Sequence, residues 1–314
     1  MKVPREVWKE YIERNDIKPM DWEAVRVKFT GHVTEFMWVE HLNRMCHVRK
    51  LDADHYMLLD GDCAGEVKEY DHGECRTDNR AYLRRTLAYV RDLINCNVIR
   101  PERNKWVTLT YRGLVRDTKK LYSDFKNWIQ LVRYHYPGME YVAVAEPQGR
   151  GAWHMHVLMV WPGPAPYIPQ KDMRAWWEKQ GGGSVYVKAV DSGGDNLGAY
   201  LSAYLGDAEI KPGEKLPDGA VVKEVTTEDG KTKRYVKGSR LKYYPAGMQI
   251  VRASRGVLKP NTVWMPYEKA KKIVGAATLT NEKKYPVEDP KTGYKNHVYY
   301  AYYNSRRGKA QSGT

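Results

Sequence analysis

Between residues 105 and 190 the spacing of apolar positions changes several times, and each change marks an element. Lys105-Trp-Val-Thr-Leu-Thr-Tyr111 alternates β-branched, aromatic and polar residues, the period of a half-buried strand. From 118 to 133, Leu121, Phe125, Trp128, Ile129 and Val132 form the stripe of an amphipathic helix, which Pro137-Gly138 ends. Two apolar runs, 141–146 and 154–161, flank the turn-rich Pro147-Gln-Gly-Arg-Gly-Ala-Trp153 and predict a hairpin with a glycine-rich loop. A helix over 173–179, a strand over 184–190 and a helix from about 196 to 205, capped by Asp195 or Asn196, complete the order β-α-β-β-α-β-α. The first six elements make a split βαβ arrangement, so the expected class is α+β with an antiparallel central sheet.

The flanks read less sharply. Residues 1–100 predict an N-terminal accessory region, partly helical. Residues 101–275 predict the principal domain, and 276–314 a basic, aromatic C-terminal extension with a disordered end. Near 207–240 the turn signals Pro212-Gly213, Asp218-Gly219 and Asp229-Gly230 mark an insertion. Val221, Val222 and Val225 before the last of these, with Tyr235 and Val236 after it, predict an exposed hairpin. No repeat of fixed period is present.

Composition narrows the class. With 42% apolar and 12% aromatic residues among 314, the chain is globular rather than disordered. No apolar run approaches the roughly 20 residues that cross a bilayer, and the charged start MKVPREVWKEYIERND lacks a secretory pattern. A cytoplasmic location and no membrane partner are expected. The four cysteines form no CxxC pair, and the spacing of Cys46, Cys63 and Cys75 among His41, His47 and His72 fits no compact zinc finger, so they read as thiols.

Charge adds a direction. The net charge is +14, but it is −1 over residues 1–100, +4 over 101–206 and +11 over 207–314, where 22 Lys+Arg meet 11 Asp+Glu. The excess on its own points to nucleic acid or acidic lipid, and its distribution places most phosphate binding in the C-terminal third. The basic positions Arg80, Arg84 and Arg91 read as a solvated helix face. No GxxxxGK[ST] sequence occurs, so strand separation would need a separate helicase.

Candidate chemistry lies in the middle. His154 and His156, two apart on a strand, project from one face roughly 7 Å apart and can share one divalent ion. Glu146 closes the preceding strand across the loop and offers a carboxylate as third ligand, leaving positions for water and substrate. Gln148 is within reach of the same ion, but the ligand set is read as the other three. The loop glycines admit close approach of backbone or DNA, and Arg150 among them is a DNA-binding candidate. Gly198-Ala-Tyr-Leu-Ser-Ala-Tyr-Leu-Gly206 places Tyr200 and Tyr204 on one helix face. A tyrosine hydroxyl of reference pKa about 10 is a weak nucleophile, for which a metal-polarised phosphodiester is a suitable target. Taken singly, the histidines read as hydrogen-bonded surface rings and the tyrosines as packing; together they point to chemistry.

These residues resemble a known family. Residues 106–111, the block from Glu146 to His156 and the Tyr200/Tyr204 helix look like the three ordered motifs of HUH endonucleases. They are most similar to rolling-circle replication initiators of Gram-positive plasmids, phages and integrative elements. Ser254-Arg-Gly-Val-Leu-Lys-Pro260, Lys242-Tyr-Tyr-Pro-Ala-Gly247, Gly65-Glu-Val-Lys-Glu69 and a helix over 79–95 extend the similarity over most of residues 45–265.

The resemblance implies an HUH-type ferredoxin-like domain, with the two-histidine strand central and the tyrosine helix packed over the metal. It implies Mg²⁺ or Mn²⁺ on Glu146, His154 and His156, and Tyr200 and Tyr204 as nucleophiles, Tyr200 slightly preferred as the first. It further implies single-stranded or hairpin origin DNA as partner, host helicase and replication proteins, and phosphate contacts from Arg252, Arg255 and Lys259. One departure stands out: where the family often carries Lys in or after the tyrosine motif, this chain has Ala203 and Asp207. Either another basic residue substitutes or the second tyrosine is idle. The alternatives are a relaxase or transposase of the same chemistry, or a non-catalytic origin-binding protein. Tyr299, Tyr300, Tyr302 and Tyr303, ahead of Arg306-Arg307, fit base stacking and a half-buried strand equally well.

Overall fold

The computed structural model describes residues 16–41, 47–59, 63–70, 80–148, 151–190, 208–209, 222–226, 232–236, 240, 243–245, 247–288 and 295–307. It is a mixed α+β structure of antiparallel sheets and helices. The chain divides into two compact units, Cys46–Pro260 and the combination of Met1–Met45 with Asn261–Thr314.

The larger unit is built on a five-stranded sheet. In spatial order its strands are Val251–Ala253, Glu140–Pro147, Trp153–Val160, Asn104–Thr110 and Val185–Ala189, each antiparallel to its neighbours. The two-histidine strand is therefore central. Helix Thr118–His135 connects two strands that the central strand separates, and helix Gln170–Glu178 leads from the central strand to the edge strand Val185–Ala189.

Local chemistry explains the first of these helices. Asp117 accepts the backbone N–H of Lys119 at 2.8 Å and caps its start, while Arg133 and His135 meet the negative end of its dipole. Its expected stripe, Leu121, Phe125, Trp128, Ile129 and Val132, is buried, and Trp128 packs edge-on to Trp177 of the next helix. Asp124, buried on the same face, is held by the Tyr111 hydroxyl and by Lys120, each at 2.8 Å. Burial and this carboxylate raise the Tyr111 pKa far above its ordinary value, so the phenol stays protonated. Helix Arg80–Asn97 joins the same core through Val90, Leu93 and Ile94. Two small three-stranded sheets complete the unit; one contains the expected insertion hairpin, Val222–Thr226 with Thr232–Val236.

The smaller unit holds a five-stranded antiparallel sheet in the order Asn261–Pro266, Ala24–Thr30, Val33–Val39, Lys295–Asn304 and Thr278–Glu288. Helix Tyr267–Val274 packs Tyr267 and Ala270 into a core with Val25, Val27, Phe36, Trp38 and Tyr299.

The division differs from the one expected from sequence. Asn261–Pro266 runs in register along Ala24–Thr30 instead of joining the central domain, and the expected extension supplies two strands of the smaller sheet. Residues 24–39, expected in a partly helical region, form a hairpin around Gly31, whose φ of 65° suits glycine. Apart from the edge strand Thr278–Glu288, which pairs with its hairpin neighbour Lys295–Asn304, these strands are completed by a partner distant in sequence, which no local pattern encodes.

Candidate metal centre

Strand alternation sets the site. In the two-histidine strand, Trp153, Met155 and Val157 point into the core and His154 and His156 to the other face. Register brings Glu146 and Thr110 level with His154, and Val144 and Thr108 level with His156. The ligand atoms of Glu146, His154 and His156 all lie within 4.8 Å of one another. This is the set singled out from sequence, and strand register assembles it.

Further contacts orient each ligand. His156 Nε2 contacts Glu146 Oε2, and its Nδ1 lies 3.1 Å from the Thr108 hydroxyl. A proton on Nδ1, held by the Thr108 oxygen, leaves the Nε2 lone pair directed toward Glu146. The Trp106 indole stacks on the His156 ring at 5.6 Å, and burial pushes the imidazole pKa down to about 4. At neutral pH the ring is therefore in its ligating form. Gln148 packs its side-chain amide on His154 Nε2, so it is closer to the centre than the ligand set read from sequence allowed for.

Gly151 has φ 83°, and the Trp153 indole donates to the Arg116 carbonyl at 2.9 Å. Arg150 lies outside the described residues, as do Tyr200, Tyr204 and the whole expected helix from about 196 to 205.

Sequence reasoning missed Arg240. Its guanidinium contacts Glu146 Oε1, the carboxylate oxygen not facing His156. Nearby, the buried Tyr244 donates its hydroxyl to the Ala145 carbonyl at 3.0 Å and packs on Trp153. Ala145 N–H in turn donates to the Ile250 carbonyl at 3.0 Å. Tyr244 and Ile250 are thereby held along the Glu146 strand. No motif marks Arg240, because its role depends on a chain segment that arrives from far along the sequence.

The other basic candidates are not brought to the triad. Arg252 is level with Ala143, on the helix-covered face, and its guanidinium lies 3.8 Å over the Tyr122 ring. Arg255 and Lys259 are exposed beyond the end of that edge strand, next to Glu140, which accepts Gly256 N–H at 3.3 Å. Glu140 is the opposite end of the Glu146 strand, about 20 Å away at roughly 3.4 Å per residue. On the triad's own face, the edge strand instead presents exposed Tyr186, level with Thr108, and exposed Lys188, level with Trp106. Their alternation with Val185 and Val187 was legible, but not their neighbours.

Among the described residues of the N-terminal third, Cys63 is exposed and Cys96 buried; Cys46 and Cys75 lie outside them. No helix among the described residues is long and apolar enough to cross a membrane.

Residues 104–209 match the family model of the ORF2-type replication-associated protein. That stretch contains the triad, its supporting threonine and tryptophan, and both tyrosines of the expected helix. The match supports a role in the initiation of replication. Curated proteins and solved structures give no match.

Proposed function

We propose that the protein is a rolling-circle replication initiator, a metal-dependent, site-specific single-strand DNA endonuclease and strand-transferase of the HUH type. The observation that carries this reading is the Glu146, His154 and His156 group on one face of an antiparallel sheet, within a stretch similar to replication-associated proteins. The strand order, with the two-histidine strand between two strands joined by a helix, supports a split βαβ domain.

Two imidazoles and a carboxylate suit Mn²⁺ better than the oxygen-seeking Mg²⁺, and a divalent ion held there would supply Lewis acidity at a scissile phosphate. Thr108 and Trp106 hold the His156 ring, and Arg240 holds the Glu146 carboxylate. Arg240 is also a fixed cation beside the place where phosphate charge would develop, the role left open by Ala203 and Asp207. Lys188 and Tyr186 guide the DNA strand across the triad face by phosphate contact and base stacking.

Tyr200 or Tyr204 acts as nucleophile. Its oxygen bonds to phosphorus as the bond from phosphorus to the 3′-oxygen breaks; the phenol proton leaves to solvent and the 3′-oxygen takes one up. The products are a 5′-phosphotyrosine and a 3′-hydroxyl primer. The new ester keeps the energy of the old one, so the reversed reaction joins strands. A host helicase opens the duplex.

Incubation with a single-stranded origin oligonucleotide and Mn²⁺ tests the reading. A covalent adduct is expected, and it disappears in the Tyr200→Phe/Tyr204→Phe double variant. An undiminished adduct there overturns the nucleophile assignment, and DNA binding without nicking by the unaltered chain identifies a non-catalytic origin-binding protein. Mapping the cleaved site on the parent element separates an initiator from a relaxase or transposase.

A further inference from the structure

The tyrosines near the C-terminus separate by strand alternation into two groups with different roles. Tyr299 and Tyr303 face the core of the smaller unit, against Tyr267 and Phe36. Tyr300 and Tyr302 face the other side of the sheet, their rings 6.4 Å apart and only 13° from parallel. Tyr285 of the neighbouring edge strand stacks on Tyr300 at 6.5 Å and 17°. The three rings form a ladder across two strands.

Cations flank this ladder on both sides. Register sets one row across all five strands as Trp264, Arg26, Met37, Tyr300 and Lys283. The next row places Lys28 and Glu35 beside Tyr302. Arg26 and Lys28 share the single buried carboxylate of Glu35, at 3.6 and 3.1 Å, so the face is net positive even before Lys283 is counted. Trp264, Tyr285 and Lys283 are exposed, and Arg26 Nε has no hydrogen-bond partner among the described residues.

We propose that this sheet face is a platform for single-stranded DNA, separate from the metal centre. Bases stack on Tyr285, Tyr300 and Tyr302, and Arg26, Lys28 and Lys283 take the phosphates. Parallel aromatic rings flanked by cations suit the stacked bases and anionic linkers of a single strand. A duplex keeps its base faces inside the helix and offers nothing for the rings to stack on. The platform assigns a function to Lys283 of the C-terminal third and to Arg26 and Lys28 near the start of the chain, all outside residues 104–209.

The test is fluorescence anisotropy of the full chain with a labelled oligothymidylate of about 16 nucleotides, in a Tyr186→Ala/Lys188→Ala background that removes the contacts proposed on the triad face, and with chelator present so that no nicking occurs. Tyr285→Ala, at an exposed edge position, and the Tyr300→Leu/Tyr302→Leu pair, which removes the rings but keeps apolar side chains, are each expected to weaken binding about tenfold. Lys283→Ala is expected to weaken binding and to lower the slope of log affinity against log salt by about 0.7. Circular dichroism confirms folding of each variant. Binding is read without metal and apart from the covalent-adduct assay with Mn²⁺, so the platform and the proposed nickase fail separately. Unchanged affinity in both tyrosine variants, or equal affinity for duplex DNA or single-stranded RNA, overturns the proposal.

Discussion

Arg240 grips the Glu146 carboxylate by the oxygen opposite the one that faces His156. Glu146 is thus held between an imidazole and a guanidinium, and its two oxygens have different partners. Removing the guanidinium leaves the carboxylate more available to a divalent ion but less well aimed. Arg240→Met is therefore expected to bind Mn²⁺ more tightly, by about tenfold for about 1.4 kcal/mol of lost repulsion, while nicking becomes slower. Isothermal titration with Mn²⁺ and single-turnover cleavage measure the two effects, and weaker Mn²⁺ binding would count against the geometry.

Thr108 acts through His156. Thr108→Val keeps the shape and removes the oxygen at 3.1 Å from Nδ1. Losing such a supporting partner typically costs about 10- to 100-fold in metal affinity. Mn²⁺ titration should show that loss, with thermal stability nearly unchanged; Thr108→Ser should restore most of the affinity.

Lys188 and Arg252 are predicted to behave oppositely. Lys188→Ala, on the triad face, should raise KM for a single-stranded substrate with little change in kcat. Arg252→Ala, on the helix face over Tyr122, should leave DNA binding alone and cost about 1 kcal/mol of stability through the lost cation–π contact. Urea denaturation and steady-state cleavage distinguish them.

Gly182 lies against the Trp177 indole so closely that a Cβ there would overlap the ring. Trp177 donates to the Thr110 carbonyl at 3.0 Å, on the strand that supports the triad. Gly182→Ala should destabilise the unit by about 1–3 kcal/mol, read from the urea midpoint. Gly113→Ala, with nothing within 4 Å of its Cβ, is the control and should stay within about 0.5 kcal/mol.

What the sequence determined by itself was local. The period of Leu121 to Val132 set a helix and its buried face, and Asp117 set its start. The His154 and His156 alternation put both rings on one side of a strand, and a short loop put Glu146 opposite them. These features follow from backbone periodicity and from a hairpin, both contained in a short window of chain.

Tertiary structure decided the rest. Thr108 became a partner of His156 only when its strand took the neighbouring place in the sheet. Arg240 reached Glu146 from far along the chain. Arg252, basic and within a block similar to the initiators, was turned by strand parity to the helix-covered face. Asn261–Pro266 left the central domain to pair with Ala24–Thr30, and Tyr300 and Tyr302 were parted from Tyr299 and Tyr303 by the face each took. Pattern tells which residues share a face; which face meets the core, and which distant strand lies alongside, depends on pairings whose free energy is spread over the whole fold.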